Sequence, residues 1–440
     1  MKGKTARRIA ATVVALASTA LVLSACTGTG SDSKAGSRLE LLDEPATINV
    51  TWWGSDARAE LTTKAIDLFE KKYPNITVEG QFKDWNGYWD ALATSTAAGD
   101  SADVLAMDEL YLASYADRGA LLDLGTASNL INTSKFSKES LATGQVGDVQ
   151  YAVPTGVAAY ALIANVDLFK KYGVDLPDDT TWTWNDLADV AKELTDASGG
   201  AIQGVGNIGG FDAGSVKYWA RSLGGEVFDA DGNVTLDPKA LVKMWKFIMS
   251  VQASGAGTAP STLVEQFGAG LAGSGVALNT AAMQTFYNTQ ITAVQAASGQ
   301  NLVLLQLPKT GKTKPDSLKP SMYWAASSQS KHPAEAAAFI NFMLNDPGAA
   351  KILGTDRGIT ANTTLREQLK TIFTPLDKVA IEYQDGLTPG TTPVVTPNGA
   401  SGFEAILQRY TQEVLFGQTT PEAAAKAFIK ELQGEIDAAK

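Results

Sequence analysis

The chain has one cysteine, Cys26, and one histidine, His332, in 440 residues. A single cysteine rules out an internal disulfide, so the fold has to stand on its buried apolar core. One histidine, in the turn-like Ser330-Lys331-His332-Pro333, removes the usual ligands of a zinc site and the base of a Ser–His or Cys–His dyad. No metal or cofactor is expected. Basic residues are in deficit: 36 Lys and Arg stand against 47 Asp and Glu, a net charge of −11. That sign argues against nucleic acid as a partner and against general adhesion to anionic lipid. Beyond residue 25 no run is apolar and long enough to span a bilayer.

What is present begins at the N-terminus. Lys2, Lys4, Arg7 and Arg8 precede an apolar run from Ile9 to Val22, followed by Leu23-Ser24-Ala25-Cys26 and the polar Thr27-Gly28-Thr29-Gly30. A basic start, a short apolar stretch and small residues before a cut mark an export signal over 1–25. At roughly 17 residues the run is at the bottom of the length that spans a bilayer, and no basic stop follows it. Leu-Ser-Ala-Cys resembles the lipobox of bacterial lipoproteins. That resemblance implies diacylglycerol on the Cys26 sulfur and anchorage at the extracellular face of a bacterial cell membrane, where two acyl chains hold a protein firmly. Without the signal's four basic residues the charge becomes −15. Residues 26–46 read as a flexible tether.

Strand and helix patterns then alternate. Ile48-Asn49-Val50-Thr51-Trp52 alternates like a strand. Gly54-Ser55-Asp56 breaks it and can cap a helix in which Leu61, Ala65, Leu68 and Phe69 keep helical spacing. Residues 76–78, 103–107, 152–153, 160–164 and 275–278 read as further strands. Helices are predicted over 184–197, 239–252, 333–344 and 421–438, and a long loop over 388–401. The alternation implies α/β layers around mostly parallel sheets.

In such sheets ligands bind beyond the carboxyl ends of strands. Two strand ends carry suitable chemistry: Trp53-Gly54-Ser55 and Asp108-Glu109. Aromatic faces stack on sugar C–H faces and carboxylates accept hydroxyl hydrogen bonds. Alternation puts Trp52 and Trp53 on opposite faces, with Trp52 in the core. For Trp53 and Asp108 the residues alone leave both a cleft role and a structural role open.

Segments along nearly the whole chain carry a resemblance: Asp103-Val104-Leu105-Ala106-Met107-Asp108, Tyr115-Ala116-Asp117-Arg118-Gly119-Ala120-Leu121-Leu122, Tyr151-Ala152-Val153-Pro154, Asn165-Val166-Asp167-Leu168-Phe169, Thr183-Trp184-Asn185-Asp186-Leu187 and Gly358-Ile359-Thr360-Ala361-Asn362. In order and spacing they resemble the extracellular solute-binding proteins of carbohydrate ABC importers, the maltose-binding-protein-like family. The resemblance implies an α/β, two-lobe periplasmic-binding-protein-like fold with a hinge and an interlobe cleft. It implies a monomeric, non-enzymatic protein that hands a carbohydrate to ABC permease subunits. Residues 47–155 with 322–370 are expected to form one lobe, and 156–321 with 371–440 the other, because Val153–Gly156 and Lys319–Ser321 read as extended crossovers. Ligand contacts implied by the family are Trp53, Gly54, Ser55, Asp108, Glu109, Phe211, Asp212, Trp219, Asn279, Met283, Tyr323, Trp324, Arg357 and Phe403. Trp219 and Trp324 fit a core role equally. Ala282-Met283 stands where the maltose-binding relative has a stacking tryptophan, which argues for a different subsite pattern.

Two matches to GxGxxG, at 204–209 and 268–273, lack the strand–glycine–helix context of a dinucleotide site and read as loops. Asp229-Ala230-Asp231-Gly232-Asn233 reads as a hairpin turn and not a calcium loop. Two other classes compete with sugar capture. A secreted glycosidase needs two carboxylates about 5–9.5 Å apart across one bond. A peptide- or polyamine-binding relative would favour carboxylates over stacked aromatics.

Overall fold

The computed structural model describes residues 38–229, 231–309, 313, 315–388 and 395–440. Cys26, the expected export signal, most of the expected tether, Ala230 and part of the expected 388–401 loop lie outside these residues. The tether expected to run to residue 46 is fastened earlier: Leu39 N–H donates to Thr126 O, Asn129 Nδ2 donates to Leu39 O, and Leu39 and Leu41 pack on a buried cluster.

Strand β1 (Ala46–Trp53) lies between β2 (Ile76–Lys83) and β3 (Val104–Met107), parallel to both. A small hairpin, β4 (Gln145–Val146) and β5 (Val149–Gln150), precedes β6 (Ala152–Asn165). Then come β7 (Gln203–Val205), β8 (Ala281–Tyr287), β9 (Leu302–Leu305), β10 (Leu318–Ala326) and β11 (Ile359–Thr360). One sheet runs in the order β2-β1-β3-β10-β6-β8-β7, with β9 and β11 also paired to β6. The sheet is not mostly parallel as expected. β10 pairs antiparallel with β3 and β6, and β6 antiparallel with β8, β9 and β11. The cause is that β6 and β10 carry the chain across the molecule in opposite directions. The two short strands expected at 152–153 and 160–164 are the ends of this one long β6, whose near-continuous apolar run suits a strand covered on both faces.

Two large buried clusters flank the crossing. One draws on β1, β3, the start of β6, the end of β10 and helices Asp56–Lys72, Trp85–Ala98, Pro333–Asn345 and Pro347–Leu353. The other draws on the end of β6 and helices Trp184–Ala197, Ala213–Ser222, Pro238–Ala253, Phe403–Leu415 and Pro421–Ala438. These helices start where the sequence places stops and caps. Thr183 and Asp186 form a reciprocal capping box, and Pro238 and Pro421 occupy first-turn positions behind Asp237 and Thr420.

Where the strands cross, three segments touch. Thr155 Oγ1 and Ser321 Oγ both donate to the Arg357 carbonyl, at 2.7 and 2.6 Å. A Cβ on Gly156 would sit 2.6 Å from the Gly358 carbonyl carbon, so glycine is required for this approach. β10 is irregular on either side of Met322.

The strand expected at 275–278 is a turn, and β8 starts only at Ala281. Asn279 has φ 59°, a left-handed conformation that ends extended structure and that Asn tolerates. The first glycine motif is not purely loop: Gly204 lies in β7, and helix Ala213–Ser222 opens shortly after it. Its glycines serve packing. A Cβ on Gly204 would meet Ala191 O at 2.0 Å, and one on Gly206 would meet Gln284 Oε1 at 2.6 Å. The Asp229 turn does join an antiparallel pair, Phe228 with Val234.

Candidate functional site

The chain leaving β3 turns toward the second cluster at Asp108-Glu109-Leu110-Tyr111. Asp108 Oδ1 accepts from Leu110 N–H at 3.0 Å, while Oδ2 faces Lys319 Nζ at 3.2 Å. Glu109 Oε1 accepts from Lys217 Nζ at 2.5 Å, with Lys319 Nζ at 3.8 Å. Burial pushes the Glu109 carboxyl up, but the charges of Lys217 and Lys319 outweigh it and hold the group at about 2. Burial pulls Lys319 down, yet Asp108, Tyr287 and Glu109 raise it well above the ordinary lysine value.

Helix Ala213–Ser222 presents Lys217, and its N-cap is Asp212. One Asp212 oxygen accepts from Ser215 N–H at 2.9 Å and the other from Tyr160 OH at 3.0 Å. Beside it, Glu404 Oε1 accepts from Ala213 N–H at 3.0 Å. Burial, reinforced by Asp212 and Asp108, raises Glu404 to about 7. Burial also raises Asp212. Tyr160 of β6 meets Tyr287 of β8 edge to face at 5.4 Å, and Lys319 Nζ lies 4.9 Å from the Tyr287 ring centre. Glu109, Tyr160, Lys217, Arg221, Tyr287 and Lys319 line a small recess of ≈ 20 Å³.

A second group of side chains nearby is aromatic. Trp53 contacts Trp85, Tyr88 and Trp89 at 5.1, 5.5 and 5.6 Å between ring centres, and Trp89 stacks on Tyr111 at 3.6 Å. Trp85 and Tyr111 are half-buried and pack against both clusters. The arrangement gathers aromatic faces, carboxylate acceptors and ammonium donors past the end of β3, with Tyr111 close enough to Asp108 and Glu404 to feel their charge.

Of the residues singled out from the sequence, Asp108, Glu109 and Asp212 come together here. Trp53 stands behind Trp85, mostly buried. Ser55 caps helix Asp56–Lys72, accepting from Arg58 N–H, and the Gly54 N–H donates to Lys83 O. The others are placed elsewhere. Phe211 is buried against Phe267, and Trp219 stacks on Trp184 at 4.3 Å inside the second core. Met283 and Phe403 are fully buried in that same core. Asn279 ties Asn165 to Ser298 O. Tyr323 donates to Thr143 O, and Trp324 packs under the Arg357 guanidinium at 4.8 Å. Arg357 itself is buried; burial and neighbouring Arg58 lower it to about 9, and its Nη2 donates to Thr62 Oγ1. The neighbours of each are set by tertiary packing.

Sequence reasoning missed Trp85, Tyr160, Lys217, Tyr287, Lys319 and Glu404. Tyr111 lies in the same strand-end segment as Asp108 and Glu109 and was read with it, though not singled out as a contact. The others sit inside strands or on helix faces, where the periodic pattern reads as ordinary packing. Among the described residues, no cluster of three His, Cys, Asp or Glu side chains could hold a metal ion, and no helix is long and apolar enough to cross a membrane.

The fold is shared with solved structures. A periplasmic solute-binding protein of Pectobacterium atrosepticum superposes with TM-score 0.78 at 22% identity, covering 90% of this chain and 99% of the other. A periplasmic oligogalacturonide-binding protein of Yersinia enterocolitica, solved with saturated digalacturonic acid, gives 0.77 at 21% over the same shares. An ABC substrate-binding protein of Listeria monocytogenes in complex with cycloalternan gives 0.74 at 22%, covering 90% and 100%. These place the chain in the two-lobe fold. By sequence, an arabinooligosaccharide-binding protein of Bacillus subtilis is 23% identical over 233 residues, 52% of this chain and 50% of that protein. A binding protein of Brucella abortus is 27% identical over 186 residues, 42% and 44%. The chain thus spans about half the length of the curated relatives it matches. The family model of the bacterial extracellular solute-binding proteins matches residues 54–350, well over half of the chain, and the protein belongs to that family.

Proposed function

We propose that this protein captures a sugar or oligosaccharide in the cleft between its lobes and delivers it to the permease of an ABC importer. What supports this reading is the pairing of aromatic and carboxylate groups past the end of β3: Trp85 and Tyr111 beside Asp108, and Tyr160 with Asp212 and Glu404. Such a pairing stacks on sugar rings while accepting hydroxyl hydrogen bonds. The ligands named for the Yersinia, Listeria and Bacillus relatives are saccharides, which supports the same class here. The lobes proposed are 47–155 with 322–370 and 156–321 with 371–440, and β6, β10 and the segment at Gly358 serve as the hinge. The protein is a monomer held at the extracellular membrane face through lipid on Cys26, and it performs no catalysis. Asp108, Glu109 and Asp212 remain the proposed ligand contacts from the sequence, joined by the aromatic residues named above.

Calorimetric titration with mono- and oligosaccharides tests the reading. Binding with 1:1 stoichiometry and no product is expected. Failure of every saccharide to bind, with a peptide or polyamine binding instead, overturns it. The glycosidase alternative draws on one observation, the raised Glu404 carboxyl between Asp108 and Asp212, and chromatographic detection of a cleaved saccharide would establish it. For the anchor, Cys26→Ser is expected to release a folded protein to the medium; retention in carbonate-washed membranes refutes the lipid.

A further inference from the structure

The segment Asp108–Tyr111 leaves β3 in one lobe yet is embedded in the other. Leu110 is 4% exposed and belongs to the core built by the end of β6 and helices Ala213–Ser222 and Pro238–Ala253, not to the core of its own lobe. Next to it, Glu109 pairs with Lys217 on helix Ala213–Ser222, with side chains only 7% and 9% exposed. The segment is held stiffly at its base. Asp108 Oδ1 fixes the Leu110 N–H, Tyr111 N–H donates to Asp108 O at 3.1 Å, and Tyr111 stacks on Trp89. Lys319, on the crossing strand β10, faces Asp108 and Glu109 together.

We propose that Asp108–Tyr111 is an interlobe latch: the Glu109–Lys217 pair and the seated Leu110 side chain hold the two lobes toward closure from inside the cleft. The proposal rests on the two-lobe reading and goes beyond sugar capture, because the latch acts through contacts internal to the chain. A buried ion pair gains little over its two solvated partners, but losing one partner strands the other charge. Leu110 adds burial of apolar surface that exists only when the lobes meet. The two contributions are of different kinds and both are made in the closed arrangement. A latch of this kind sets the fraction of molecules whose binding walls face each other, and apparent affinity scales with that fraction. Glu109, Lys217 and Lys319 also border the recess, so the cleft is tuned by the same residues that close it.

Small-angle scattering on the full protein without added sugar tests the latch independently of any ligand. Glu109→Gln, Lys217→Met and Leu110→Ala are each expected to raise the radius of gyration. The Glu109→Gln/Lys217→Met double variant is expected to raise it no further than the larger single change, since both remove one contact. Lys64→Met, which breaks an exposed helical pair with Glu60, is expected to change nothing. An unchanged radius in all three latch variants, with far-ultraviolet circular dichroism as in wild type, overturns the proposal. If a charge variant fails to fold, Leu110→Ala decides alone, since it strands no charge. Once a saccharide is in hand, the latch variants are expected to bind it roughly tenfold more weakly. If wild type binds no saccharide, sugar capture falls while the scattering result stands.

Discussion

The two walls of the proposed cleft are built on opposite principles. On the β1–β3 side, Trp53, Trp85, Tyr88, Trp89 and Tyr111 satisfy one another by edge and stacked contacts. On the other side, Tyr160 donates to Asp212, Glu404 accepts from the Ala213 N–H, Tyr287 meets Tyr160 edge to face, Lys217 pairs with Glu109, and the Asp212 and Glu404 carboxyls are raised by burial. The first wall is a rigid extension of a core. The second is a network whose members hold their positions through hydrogen bonds and charges. Truncation should therefore damage the first wall through stability and the second through affinity and pH response.

The largest effect is expected from Trp53→Ala. Trp53 is 9% exposed with three aromatic neighbours, and removing a buried tryptophan side chain costs about 3–5 kcal/mol. Urea unfolding should show this loss. An unchanged midpoint with lost sugar affinity would break the comparison and make Trp53 a ligand contact. Asp108→Ala comes next, with an expected affinity loss of about 1.5–3 kcal/mol, tenfold or more. Calorimetry that gives the wild-type constant would remove Asp108 from the site.

Glu404 sharpens the contrast through pH. Its folded value of about 7 lies above the 4.5 of the free side chain, so the folded protein binds the proton more tightly. Stability from this group is present at low pH and lost as pH rises from about 5 through 7, by at most ~1.4 kcal/mol per pH unit. Glu404→Gln should flatten that segment of the stability curve, and an unaltered slope would assign the dependence elsewhere. The smallest effect is expected from Tyr160→Phe. Losing the hydroxyl that donates to Asp212 should cost about 0.5–1.5 kcal/mol, read as a lowered melting temperature. A still smaller change would mean that Asp212 is held by its helix N-cap alone.

Helices and strand ends were legible because their signals are local. Residues 184–197 and 421–438 were read with their observed bounds from caps and apolar spacing. Asp108 and Glu109 were singled out by their place at a strand end and Asp212 by the family resemblance, and the structure brings the three near one another, Asp108 and Glu109 in buried positions. Residues 275–278 misled because a short apolar run has no period, and the turn there depends on one left-handed asparagine. The mixed sheet was not legible either, since strand direction follows from how β6 and β10 cross, which no local pattern encodes.

The sequence by itself determined most element types, the lack of an internal disulfide and the family resemblance, because each rests on contiguous residues or composition. Only the tertiary structure decided which aromatics are neighbours and which carboxylates share a space. Tyr160 and Glu404 lie 244 positions apart, yet both converge on Asp212 and Ala213 at one helix start. That proximity comes from lobe packing, and so does the burial that moves Glu404 toward 7 and holds Glu109 near 2. A side chain's identity is a property of the chain, whereas its dielectric surroundings and partners are properties of the fold.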